Sequence, residues 1–68
     1  MLGKVKWFDK KRGYGFIINE DSFEYFFHWS VIISEDDYKT IDDNQRVSFG
    51  VDDTEKTRLK AKNVRKIE

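Results

Sequence analysis

Polar and apolar residues alternate with a period of two in several short runs along the chain, and polar clusters interrupt them. Such alternation sends successive side chains to opposite faces of a strand. It predicts strands near residues 2–8, 14–19, 23–28, 46–51 and 59–66. "DKKRG" links the first two runs and "NEDS" the next two; both are rich in turn formers, so the first three strands are expected to form an antiparallel meander. Over residues 30–44 the alternation disappears. "SEDDYKTIDDN" reads as a long connection, with one helical turn expected after Ser30 as its N-cap, and "DDTEKT" separates the last two strands. The expected fold class is all-β, a small barrel or sandwich.

Parity within the strands sorts the aromatic side chains. In "GYGFII" Tyr14 and Phe16 share one face, and Gly15 and Ile17 the other. In "EYFFHWS" Glu24, Phe26 and His28 share a face that holds an imidazole and a carboxylate, so it is the wetter one, and Tyr25 and Phe27 point inward. Val5 between Lys4 and Lys6 is an inward candidate, which turns Lys6 outward. Trp7 and Phe8 follow too closely for parity to separate them, but a bulge in the strand would turn Trp7 out. With the three strands paired and these faces aligned, Lys6, Trp7, Tyr14, Phe16, Phe26 and His28 form one exposed patch. An exposed aromatic patch of that size calls for a partner.

Composition narrows the partner. The 68 residues are expected to make one domain, 1–68, because so short a chain buries only about 60% of its unfolded surface and cannot divide its apolar residues between two cores. There is no cysteine and a single histidine, so neither a disulfide nor a thiolate metal site is available, and no metal or cofactor is expected. "MLGKVKWFD" turns charged at once and no apolar run reaches the length of a membrane span; a soluble cytoplasmic protein with no membrane partner is expected. Net charge is zero, yet residues 1–16 carry five cations against Asp9, residues 17–55 two cations against eleven acids, and residues 56–68 six cations against Glu68. A basic surface results only if the two ends meet in space, as in a barrel that brings its first strand near its last.

A flat, anionic partner fits rings beside cations. Nucleobases offer a π-face for stacking, worth about 1–3 kcal/mol per base, and the cations near the rings supply phosphate contacts. Aromatic patches also bind peptides, which makes a peptide-binding barrel the alternative; such a site has no need of five cations in the first twelve residues. An enzyme is not expected, since His28 is the only side chain suited to acid–base work near neutral pH and no nucleophile signature surrounds it.

"GKVKWFD", "RGYGFI" and "FFHWS" resemble the cold-shock domain, whose usual forms run G-K-V-K-W-F-N, K-G-F-G-F-I and V-F-V-H-F-S. The similarity continues through "YKTIDDNQRVSFGV" and "AKNV". It implies a five-stranded antiparallel β-barrel of the oligonucleotide-binding type that takes single-stranded RNA and DNA with little sequence selectivity. It further implies a role as an RNA chaperone in transcription or translation during cold stress. Carried over by position, the stacking platform comprises Trp7, Tyr14, Phe16, Phe26, His28, Trp29 and Tyr38, the last two resting on the resemblance alone. Lys6 and Arg12 take the phosphate-contacting positions, and Glu24 stands where the family has an aspartate that hydrogen-bonds a base edge. Four departures stand out: Trp29 and Tyr14 each replace a Phe, Tyr25 and Phe27 replace small β-branched residues, the last loop "TEKTRLK" lacks the usual Gly and Pro with Arg58 as its substitute cation, and the acidic "SEDD" precedes Tyr38. A monomer is the default for a closed barrel.

Overall fold

The computed structural model describes residues 1–34, 41–54 and 57–67. Five strands form, β1 (Leu2–Asp9), β2 (Tyr14–Asn19), β3 (Glu24–His28), β4 (Arg46–Asp52) and β5 (Lys60–Lys66), close to the five runs of alternating residues. They close into a barrel in the order β1-β2-β3-β5-β4. The first three are the expected antiparallel meander. The barrel differs from a purely antiparallel one at a single seam: β3 meets β5 in parallel, with Phe26 opposite Lys60, and Ile32 bridges Val64 in the same sense. The chain's first and last strands do not pair. Each pairs with β4 instead, so the two basic ends of the sequence flank β4.

Local chemistry sets the turns. Asp9 Oδ1 accepts from the Lys11 and Arg12 N–H groups at 3.0 Å each, and the Gly13 N–H closes the turn on the Asp9 carbonyl. Gly13 sits at φ +78°, a conformation that a side chain would strain. In the second turn Asn19 Oδ1 accepts from the Asp21 and Phe23 N–H groups; this ties Phe23 into the turn, and β3 begins one residue later than the pattern predicts. In the last turn Asp52 Oδ1 accepts from the hydroxyl and N–H of Thr54, which holds its carboxyl below the ordinary value. The helical turn is a 3-10 turn at Trp29–Val31 whose N-cap is His28, not Ser30. His28 is still extended there, and its Nδ1 accepts the Ser30 N–H.

Val5, Ile17, Tyr25, Phe27, Ile32, Ile41, Val47, Phe49, Ala61 and Val64 form the core, with Phe8 and Val31 packed against it. Two of these are the rings found where the family has β-branched residues, and one glycine makes room for one of them. Phe8 and Phe27 both lie opposite Gly15 in the strand register. With no side chain between them, the two rings stack 5.4 Å apart at 16°. Tyr25 is accommodated against Phe49, with centroids 5.1 Å apart.

Gly15 has a second role on its backbone side, because a Cβ there would strike the Trp7 carbonyl oxygen and come within 2.9 Å of the Phe8 Cα. Strands β1 and β2 can approach this closely only at a glycine. Gly15→Ala is therefore expected to lower stability by about 1–3 kcal/mol or more. The readout is the thermal midpoint, which shifts by about 4–8 °C per kcal/mol in a domain of this size.

Candidate nucleic-acid interface

The register of the meander shifts between Val5 and Trp7. Val5 faces Ile17 and Trp7 faces Phe16, so Lys6 is the extra residue of a bulge. That single insertion reverses the parity of the strand, which settles the assignment the sequence left open: Trp7 turns out and Phe8 turns in against the core.

The outward side chains of the meander then lie in rows across the strands. One row holds Asp9, Tyr14 and His28, the next Trp7, Phe16 and Phe26, and a third Lys4, Ile18 and Glu24. Neighbouring rings touch within and between the first two rows: Trp7–Phe16 at 5.4 Å, Trp7–Tyr14 at 5.7 Å, Phe16–Phe26 at 5.8 Å and Tyr14–Phe26 at 5.9 Å between centroids. All four pairs are tilted or edge-on, which leaves ring faces uncovered by their neighbours. Arg58, named from sequence only as a substitute cation, lies with its guanidinium 4.9 Å from the Phe26 centroid, in cation–π range. It enters from the segment that precedes β5.

At the end of the platform Trp29 is 45% exposed. Its ring centroid is 5.5 Å from that of His28, and its edge covers Gly13 so closely that a Cβ there would collide with it. The Trp29 N–H donates to the Gly13 carbonyl at 2.8 Å, tying the 3-10 turn to the first hairpin. His28 Nδ1 lies 3.0 Å from the Ser30 hydroxyl and accepts the Ser30 N–H. Ser30 thus orients a platform side chain, a role that sequence parity does not signal. Tyr38 lies outside the described residues.

The cations expected near the rings are partly neutralised by the chain itself. Lys6 Nζ contacts Glu24 Oε2 at 3.0 Å, and both side chains are about half exposed. Lys10 pairs with Asp42 at 3.0 Å, while Asp43 accepts the Phe8 N–H. Asp42 and Asp43, at the end of the acidic connection, thus meet Lys10 just after β1 and the Phe8 amide within it, with the Asp42 side chain still largely exposed. Arg12 donates to the Tyr14 hydroxyl at 3.4 Å and lies 3.9 Å from Asp9. The Tyr14 contact first and then the charge of Asp9 push its guanidinium above the ordinary value. Exposed pairs of this kind are weak and screened by solvent, so phosphates can compete for all three cations at small cost.

Ten of the eleven residues nominated from sequence are described, and the structure brings Trp7, Tyr14, Phe16, Phe26, Arg12 and Arg58 into one contacting cluster. His28 and Trp29 form its end, and Lys6 and Glu24 its far border. Among the described residues no group of three or more His, Asp or Glu could hold a metal ion, and no helix is long and apolar enough to cross a membrane.

Comparison with known proteins gives a consistent result. The family profile described as "'Cold-shock' DNA-binding domain" matches residues 1–67. A cold shock-like protein of Thermotoga maritima is 46% identical over 56 residues, 82% of this chain and 83% of the relative. The cold shock-like protein CspE of Bacillus anthracis is 43% identical over 67 residues, 98% of this chain and 97% of the relative. Among solved structures, "drosophila Unr CSD456" superposes with a TM-score of 0.71 at 24% identity over 98% of this chain, which spans 26% of that longer one; the likeness is one of fold.

Proposed function

The chain belongs to the cold-shock domain family, and on that premise we propose that it binds single-stranded RNA and DNA with low sequence selectivity by stacking bases on the Trp7, Tyr14, Phe16, Phe26, His28 and Trp29 rings. The observation that carries this is the run of mutually touching rings on the outer face of the meander, bordered by cations. Any base presents a π-face, so selectivity is low, and a platform of this extent accommodates roughly six or seven successive bases. A duplex is refused because paired bases are stacked on one another and do not expose their faces.

Each participant has a defined task. Lys6, Arg12 and Arg58 contact phosphates, Arg58 while held against Phe26. Glu24 accepts from a base edge once released from Lys6, and Tyr38 extends the platform. The protein is not an enzyme on this proposal; by trapping unpaired segments it acts as an RNA chaperone in the cytoplasm, as a monomer and without a cofactor.

Titration with oligothymidine, followed by Trp7 and Trp29 fluorescence, tests the proposal. Quenching is expected with the single strand and not with a matched duplex. The plot of log affinity against log salt should also be shallow: each neutralised phosphate of a single strand contributes a slope of only about 0.7, and stacking supplies the rest. No quenching by either RNA or DNA single strands would overturn it and favour a peptide ligand.

A further inference from the structure

Beside the aromatic rows runs an open groove of about 320 Å³ whose walls include Leu2, Gly3, Lys4, Ile18, Glu20 and Arg46. Three observations connect it to the platform. First, the register places Lys4 opposite both Ile18 and Arg46, so β1, β2 and β4 together build its floor. Second, Ile18 follows Phe16 on the same face of β2, two residues and thus about 7 Å along the strand; the groove is the next row of the same surface. Third, its two cations make no ion pair among the described residues, unlike Lys6, Lys10 and Arg12, which contact carboxylates. The groove is also of a size to receive one nucleotide, about the lower limit of small-ligand pockets.

Among the described residues a single bridge stands between the two areas. Lys6 lies on β1 and Glu24 on β3, with β2 between them, so their ion pair passes over β2 at the boundary between Phe16 and Ile18.

We propose that this groove holds the nucleotide next to the platform on the same single strand. Its sugar and base lie against Leu2 and Ile18, its phosphate lies between Lys4 and Arg46, and the strand enters by opening the Lys6–Glu24 bridge. Freed from Glu24, Lys6 turns to the phosphate that crosses the boundary. Glu20 faces the same groove and limits it to one phosphate. The inference rests on the platform binding a single strand, and it extends that site toward β4.

The test compares the parent chain with Arg46→Gln on oligothymidines of about six and about nine nucleotides. Arg46 is exposed and belongs to no platform row, so the variant should match the parent in thermal midpoint and in affinity for the shorter strand. For the longer strand it should lose about fivefold at 0.1 M salt, with the salt slope reduced by about 0.7, as expected for one phosphate contact. Amide shifts at Ile18 and Arg46 should move only with the longer strand.

Equal affinity of variant and parent for both lengths, with those amides unmoved, would overturn the proposal and leave the groove to another occupant, such as a second copy of the chain. Equal weakening on both lengths would overturn it too, reducing Arg46 to a general charge effect. If the parent itself bound neither strand, the platform would fail first and the groove with it.

Discussion

Phe16→Ala is expected to weaken binding of a single-stranded oligonucleotide by about 5- to 150-fold, the equivalent of one lost stacking contact of about 1–3 kcal/mol. The upper part of that range is the more reasonable expectation here, because Phe16 is the central ring of the platform. It contacts Trp7 on one side and Phe26 on the other, so its loss removes a stacking surface and frees two neighbouring rings to reorient. The fold should survive. The Phe16 side chain points away from the core, and the backbone pairs it makes with β1 and β3 do not depend on the ring. Fluorescence titration beside thermal unfolding separates the two effects, and a Phe16→Ala protein that bound as tightly as the parent would refute the platform.

The largest loss of stability is expected from Phe27→Ala, one residue away from a platform ring. Phe27 is 1% exposed and stacks on Phe8 over Gly15. Truncating a buried Phe costs about 3–5 kcal/mol, against a total stability of about 3–10 kcal/mol for a chain of this length. The variant should unfold at a much lower denaturant concentration than the parent, and be unfolded without denaturant where the parent's stability lies at the low end of that range. Phe26→Ala should show the opposite profile, with near-native unfolding and weakened binding, since its ring lies among Tyr14, Phe16 and Arg58 on the outer face. If both variants behaved alike, the division of these adjacent aromatics between core and platform would be wrong.

That division was legible from parity because it depends on a rule local to each strand. Gly15 and Ile17 against Tyr14 and Phe16, and Tyr25 and Phe27 against Phe26 and His28, could all be assigned without knowing which strands pair. Parity offers a bulge in the first strand only as a means of turning Trp7 out; placing it at Lys6 requires the register with β2. What escaped the sequence depends on contacts between distant segments. The parallel seam between β3 and β5 has no local signature. The contacts of Asp42 with Lys10 and of Asp43 with the Phe8 amide are equally silent, because a carboxylate in a loop looks the same whether it meets water or either partner. The groove near Arg46 has the same origin: its walls come from β1, β2 and β4, and only closure of the barrel assembles them.

The seams of the barrel also bear on the order in which it can form. The two hairpins of the meander join neighbours in the chain, whereas β1–β4 must bring Leu2 to Ser48 and β3–β5 must bring Phe26 to Lys60. Long closures carry a larger entropic cost before any contact rewards them. All the rings of the first two platform rows lie on the meander, while the core that fixes them needs Val47, Phe49 and Val64 from beyond residue 40. During synthesis, then, the rings of the proposed platform emerge first, and it is the late arrival of β4 and β5 that makes their arrangement permanent.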